Sequence, residues 1–208
     1  MSDSSACACA AVVLAAGAST RLGQPKQLIQ LNGESLLHHT ARLATAAGCN
    51  PVFVVLGFEA GHIEQGIRDL GVKTVINPDW QSGMASSLRC GMQALMKQTP
   101  LPQRVLLLVC DQARLSTEVL LELVRASEEK GSVITTASYA GRLGVPAVFD
   151  RQLFPDLMKI EGDQGARALI LQHLHQTFAV EFPEGAVDID TPQDLASLQA
   201  ISKDKTRN

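Results

Sequence analysis

Runs of apolar residues rich in valine and leucine, each followed by a stretch with helical periodicity, constrain this chain more than any other feature. The runs are "AVVLAAG" (11–17), "PVFVVLG" (51–57), "VKTVIN" (72–77), "RVLLLVCD" (104–111) and "SVITTA" (132–137). Between them lie "ESLLHHTARLATAAG", "EAGHIEQGIRDLG", "MASSLRCGMQALMKQ" and "STEVLLELVRASEEKG", whose apolar positions recur every three or four residues. That alternation specifies a parallel sheet with crossover helices. Because the runs are continuously apolar, helices must cover both faces of the sheet, and a ligand crevice must open at the carboxyl ends of the strands. The fold class expected is therefore a three-layer α/β/α, Rossmann-like arrangement with a mostly parallel central sheet. Gly48, Gly71 and Gly131 end helical stretches as left-handed caps, and Ser116 opens one as an N-cap. After residue 140 the pattern loosens into "RLGVPAVFD", "EGDQGARALILQH" and "EFPEGAVDIDTPQDL", expected to complete the sheet edge and cover the crevice.

A chain of 208 residues, 46% hydrophobic, can bury one substantial core, so we expect a single domain over 10–201 with loose ends at 1–9 and 202–208. A net charge of -3 gives no overall attraction to nucleic acid or an anionic membrane; phosphate recognition would have to come from a few placed cations. The five cysteines are odd in number and scattered, without the paired spacing of a zinc site or a disulfide framework. A reducing cytoplasm fits them. "MSDSSACACAA" lacks a basic region, and Gly17 and Arg21 break the apolar run behind it, so neither a signal peptide nor a membrane span is expected.

The polar ends of the strands carry the chemistry. "LAAGASTRLGQPK" (14–26) follows the first strand and fails two better-known glycine templates. The dinucleotide fingerprint needs glycine where Ser19 stands, and a P-loop needs lysine where Gly23 is followed by Gln24. What remains is a loop whose small residues Gly17, Ala18 and Ser19 let backbone N–H groups approach a polyanion. Arg21 supplies a bidentate fork and Lys26 a mobile point charge. A solvated turn with ordinary surface cations is the alternative.

This stretch resembles the opening signature of the MobA-like nucleotidyltransferases, and "GMASSLRCGM", "CDQ", "GVPAVF", "GDQGAR" and "DIDTPQDL" follow in that family's order. Within the family the chain is most similar to the cytidylyltransferase branch, which joins CMP to molybdopterin. The resemblance implies CTP and molybdopterin as substrates, Mg²⁺ as cofactor and a molybdenum hydroxylase of the xanthine dehydrogenase type as recipient of the product. It further implies nucleotide contacts from Leu14, Ala15, Ala16, Gly17, Ser19, Arg21, Lys26, Gly57, Asn77, Ser82 and Gly83, with Arg21, Lys26 and Asp111 carrying the catalysis. Where the guanylyltransferase branch has glycine, this chain has Ala16. The added methyl should disfavour the larger purine, by about 1–3 kcal/mol.

Asp111, after "RVLLLVC", should stand at the end of a buried central strand. Desolvating it is costly unless a cation meets it, and a hard divalent ion bridging phosphates would do so. Asp188 and Asp190 share one side of an extended segment, although Asp190 before Thr191-Pro192 equally suits a helix N-cap. By resemblance Asp111, Asp188 and Asp190 form the metal site, with Asp188 the more direct ligand of the last two. The five histidines lack ligand geometry and are assigned to packing or solvent, with His173 and His175 on different faces of a helix.

Ser86 and Ser87 enter a helix at "GMASS", where open N–H groups and hydroxyls could either cap the helix or hold a phosphate or polar ring. Asp163 offers the same choice between N-cap and ligand. The resemblance places Met84, Ser86, Ser87, Gln112, Pro146, Asp163 and Gly165 around the acceptor, with Gly144 and Val145 beside Pro146. One departure stands out: the family's Asp-Gln-Pro reads Asp-Gln-Ala at 111–113. It leaves the carboxylate in place and alters the loop that carries Arg114. Four competing functions remain: guanylyl transfer by the same fold, transfer to a sugar or alditol phosphate, a non-catalytic cofactor chaperone, and a dinucleotide-dependent oxidoreductase. A chaperone has no need of a complete phosphate and metal set, and the oxidoreductase lacks its fingerprint.

Overall fold

The computed structural model describes residues 9–163, 165–187, 189, 193 and 194. Its centre is a seven-stranded sheet in the order β5-β4-β1-β6-β8-β7-β9. In chain order the elements are β1 (Cys9–Ala15), a short β2 (Gln30–Leu31) and β3 (Glu34–Ser35) hairpin, α1 (Leu36–Ala46), β4 (Val52–Leu56), α2 (Ala60–Gln65), β5 (Lys73–Ile76) and α3 (Met84–Met96). There follow β6 (Arg104–Val109), α4 (Thr117–Glu129), β7 (Ile134–Tyr139), β8 (Arg142–Asp150), α5 (Phe154–Leu157), α6 (Arg167–Gln172) and β9 (Thr177–Glu181).

The period of two along each strand sorts its side chains between two cores. On one face, Ala11, Val13, Val54, Leu106 and Leu108 pack with Leu37, Ala41 and Ala44 of α1, Ile63 of α2, and Leu120 and Leu123 of α4. On the other, Val12, Phe53, Val55, Val105 and Leu107 meet Leu88, Met92 and Leu95 of α3, Phe154 and Leu157 of α5, and Leu169 and Ile170 of α6. Strands flanked on both sides have no solvent face, which is why they read as unbroken apolar runs. Ser116 caps α4 by accepting from the Val119 N–H, and Gly48, Gly71 and Gly131 all have positive φ.

Three local expectations are corrected. "RLGVPAVFD" forms β8, which pairs antiparallel with both β6 and β7 in the interior of the sheet, not at its edge. The stretch from Glu59 to Gly71 splits into α2 and a separate 3-10 turn at Arg68–Leu70. α6 ends at Gln172, so His173 and His175 follow the helix in a 3-10 turn instead of riding on it. Among the described residues no helix is long and apolar enough to cross a membrane, and Cys49, Cys90 and Cys110 are free thiols.

Candidate active site

The carboxyl ends of β1 and β6, which pair in parallel at the middle of the sheet, open into one cleft of about 440 Å³. Its walls bring together Leu14, Ala15, Ala16, Gly17, Ser19, Arg21, Lys26, Gly83, Met84, Ser87, Asp111 and Asp163. Residues 90 or more positions apart in the chain thus share one volume because two parallel strands end side by side.

The loop after β1 is held from within. Ser19 takes the left-handed conformation (φ 52°), and its hydroxyl accepts from the Lys26 N–H at 3.2 Å, so the two ends of the loop are tied across seven residues. Gln27, almost fully buried, donates from one amide nitrogen to the carbonyls of Ala15 (2.7 Å) and Gly17 (2.8 Å). This clamp fixes the turn out of the strand, and the sequence reading missed it. Its only signal is a polar residue directly after the lysine. Below the loop, Leu22, Ile29, Leu36 and Ile189 form a small separate core with Ala113 and Val187 at its border.

With its backbone anchored, Lys26 extends its ammonium to 2.7 Å from the Asp111 carboxylate, both side chains about one-fifth exposed. Asp111 lies two residues past β6, as expected, and its carbonyl accepts from the Ile189 N–H at 3.3 Å. Asp188 and Asp190, the other two expected metal ligands, lie outside the described residues. Among the described residues no three histidine, cysteine or acidic side chains gather into a metal-binding group. A single carboxylate in the cleft nevertheless meets the requirement of a magnesium ion, which takes only one or two protein carboxylates and completes an all-oxygen shell from substrate and water. Cys110, next to Asp111, is fully buried, and burial together with the Asp111 charge pushes its thiol up to about 12. It is inert as a nucleophile.

Several expected contacts lie behind the cleft instead of on its walls. Asn77 is buried and donates from its amide to the hydroxyls of Ser86 (2.9 Å) and Ser87 (3.0 Å). The Ser86 hydroxyl donates in turn toward the carbonyls of Gly83 and Asp79, so it braces the entry to α3 and is not presented to a ligand. Ser82 donates to the Asp79 carbonyl from an exposed turn. Gly57 backs the wall: a Cβ there would come within 2.6 Å of Trp80 and 2.8 Å of the Ala16 carbonyl. Gln112 is buried and donates to the Val145 carbonyl at 3.0 Å, and Pro146 is buried within β8. None of these six faces the cleft directly.

The start of α3 is not an open anion site. Its Met84 N–H donates to the Asp163 carboxylate at 3.4 Å and its Ala85 N–H to the Gly162 carbonyl at 3.1 Å. Asp163 therefore caps α3 and not the helix that follows it in sequence, which begins four residues later at Arg167. A nearest-helix assignment misses this because the loop carrying Asp163 crosses the cleft.

A second cavity of about 220 Å³ shares Leu14, Met84 and Val109 with the first. Its walls are mostly apolar, from Leu88, Leu107, Leu143 and Val145, and it is bordered by Tyr139, Arg142, Gly144, Gly165 and Arg167. Tyr139, Arg142 and Arg167 were not anticipated. They come from three different elements: Tyr139 and Arg142 face each other across the β7–β8 hairpin, and Arg167 arrives from α6, far along the chain. Trp80, set aside as packing, lines the main cleft and meets Phe58 edge to face at 5.8 Å.

Against this geometry the known proteins are informative. The family model described as the MobA-like NTP transferase domain matches residues 11–177. The nicotine blue oxidoreductase of Paenarthrobacter nicotinovorans is 31% identical over 198 residues, covering 90% of this chain and 94% of that protein. A probable molybdenum cofactor guanylyltransferase of Trichormus variabilis is 28% identical, over 95% of this chain and 94% of its own length. Among solved structures, Rv0371c from Mycobacterium tuberculosis superposes with a TM-score of 0.79 at 29% identity, covering 93% of this chain and 98% of that one. The same mycobacterial protein has a structure described as a complex with manganese, at 27% identity and a TM-score of 0.75 over 92% and 97% of the two chains. The match spans the loop after β1, both strand ends of the cleft and β8, and this chain belongs to the MobA-like NTP transferase domain family.

Proposed function

We propose that this protein transfers CMP from CTP to the terminal phosphate of molybdopterin and releases pyrophosphate. The observation that carries the reading is the single cleft in which Arg21, Lys26 and Asp111 converge at the ends of β1 and β6. The mycobacterial relative's structure with manganese supports the use of a divalent ion, and the relative named as a probable molybdenum cofactor guanylyltransferase supports the acceptor.

The acceptor phosphate is already ionised, so the in-line attack on the α-phosphorus needs no strong base. The protein's work is to position two anions and neutralise their charge. Lys26 and Arg21 bind the triphosphate and meet the charge that builds on the departing pyrophosphate. Ser19 and Gln27 hold the loop in the shape that presents both cations. Asp111 is the side chain that would hold Mg²⁺, and a bound ion would supply further positive charge to the phosphate oxygens. The second cavity, joined to the first at Leu14, Met84 and Val109, takes the acceptor ring, with Arg142 and Arg167 at its border for an anionic group.

Two observations favour a second reading of the substrate. The Trichormus relative is named for guanylyl transfer, so GTP is the competing donor; Ala16, 4% exposed at the end of β1, favours the smaller base. The Paenarthrobacter relative is named an oxidoreductase, which makes reduced nicotinamide dinucleotides a necessary control. The deciding experiment measures pyrophosphate release with CTP, GTP and ATP against molybdopterin, with and without molybdenum, and against sugar phosphates. CTP with molybdopterin should be the fastest pair. A GTP preference would reverse the nucleotide assignment, and NADPH oxidation without pyrophosphate release would overturn the reading.

A further inference from the structure

Behind the phosphate loop lies a charged cluster that the reaction as described does not use. Glu34, in β3, accepts from Arg42 through two nitrogens (2.7 and 3.1 Å), from His38 Nδ1 (3.0 Å) and from His39 Nδ1 (2.7 Å). His38 continues outward to the Asp69 carboxylate at 3.1 Å. His39 continues inward, and its Nε2 donates to the Leu115 carbonyl at 3.0 Å. Leu115 is buried, and it belongs to the loop 110–116 that carries Asp111.

These contacts close a ring that shares the Lys26–Asp111 pair with the cleft. From Lys26 the chain runs through Gln27 to the β2–β3 hairpin and reaches Glu34. From Glu34 the link passes through the His39 imidazole to Leu115 and back along four residues to Asp111, whose carboxylate meets Lys26 at 2.7 Å. Arg42 also reaches the same Nδ1, at 3.3 Å, and the bond to Leu115 requires the hydrogen on Nε2. A histidine that merely packed against its helix would have no reason to span the segments that follow two different strands. A shift of about 1 Å in a group that aligns reacting atoms costs up to about a hundredfold in rate, so a strut of this kind has kinetic weight.

We propose that Glu34 and His39 are positioning residues that fix the loop bearing Asp111 against the loop bearing Lys26. The inference rests on the reading of Lys26 and Asp111 as the phosphate and metal groups. His38 supplies an internal control, because it binds the same carboxylate but leads to Asp69 at the surface.

The test compares His39→Ala, His39→Gln and Glu34→Gln with His38→Ala in the full-length protein by hydrogen–deuterium exchange and by pyrophosphate-release kinetics. His39→Ala should speed amide exchange across 111–116 and lower kcat by about tenfold or more, with KM for the nucleotide changed by less than about threefold. His39→Gln, whose amide reaches where Nε2 does, should recover part of the kcat. His38→Ala should leave exchange in 111–116 as in the wild type, even where it lowers Tm equally. Unchanged exchange in 111–116 for His39→Ala overturns the proposal, as does an equal change in His38→Ala. The exchange measurement needs no turnover. Absence of pyrophosphate release by the wild type would overturn the proposed function, and exchange alone would then decide the strut.

Discussion

Replacing Lys26 by Met removes a charge while keeping most of the aliphatic stem, and the structure sets two separate magnitudes for the result. The first is stability. The Lys26–Asp111 contact is a charge-assisted bond of 2.7 Å between side chains 18% and 22% exposed. Such bonds contribute about 1.5–3 kcal/mol when buried and less when solvent screens them, so we expect a loss of about 1–2 kcal/mol. For a chain of this length that lowers Tm by roughly 2–8 °C. The second is rate. A cation that meets developing phosphate charge is comparable to an oxyanion-hole donor, about 10²–10³ in kcat or about 2.7–4 kcal/mol. The kinetic loss should therefore exceed the thermal one, which separates a catalytic group from a structural ion pair.

The double variant sharpens the test. Because the two side chains touch at 2.7 Å, the losses of Lys26→Met and Asp111→Asn should couple and fall short of their sum, but if Lys26 serves the triphosphate and Asp111 the metal the double variant should still be slower than either single one. If Lys26 exists only to orient Asp111, the pair should be no slower than the worse single variant. Pyrophosphate-release kinetics at saturating nucleotide, with differential scanning calorimetry on the same samples, measures both. A Lys26→Met protein with kcat within about threefold of wild type would refute the catalytic assignment.

Further outcomes follow from other residues. Ala16→Gly should raise kcat/KM for GTP relative to CTP by about tenfold, read from competition kinetics; no shift would remove Ala16 from the specificity argument. Gly57→Ala drives a methyl against Trp80 and the Ala16 carbonyl, and should cost about 1–3 kcal/mol in calorimetry while raising KM for the nucleotide. Gly91→Ala in α3 meets Val12 at 2.6 Å and Val55 at 2.9 Å, two fully buried side chains; that overlap should outweigh the gain in helix propensity of about 1 kcal/mol, so Tm should fall instead of rising. The Glu34 cluster predicts a pH window. The Arg42 fork, followed by the two histidines, holds the Glu34 carboxyl well below the ordinary 4.5 despite burial, so its contribution is full above that value and is lost as pH falls toward the folded pKa. Burial opposes charge on His38, but Asp69 and Glu34 outweigh it and raise the ring above 6.5, so that contribution is full below 6.5 and is lost as pH rises through the folded pKa. Tm measured across pH should show this part of the stability greatest between 4.5 and 6.5, and Glu34→Gln should flatten the profile.

How much could be read in advance differs between the fold and the cleft. The β1, β4 and β6 runs were legible because burial on both faces leaves no polar alternation to confuse them, and Ser116 and the glycine caps because their conformational demands are local. β8 was not, since its antiparallel place between β6 and β7 depends on pairing across the sheet. The histidines show the same division. His38 and His39 read as ordinary helix residues, and only the return of the 110–116 loop to within 3.0 Å of His39 gives one of them a partner worth testing. Asp163 looked like the cap of the next helix because sequence distance was the only distance to hand.

By itself the sequence determined the layered α/β class, the loop after the first strand with Arg21 and Lys26, and Asp111 at the end of a central strand. These depend on hydrophobic period, chain chemistry and position relative to a strand end, all of which act over a few residues. The tertiary structure alone decided which of those groups touch. It paired Lys26 with Asp111, turned Ser86 and Asn77 inward, capped α3 with Asp163, and set Tyr139, Arg142 and Arg167 around a second cavity. Most of these contacts join segments tens of residues apart, and they exist only once the strands are registered side by side and their end loops are forced to share one crevice.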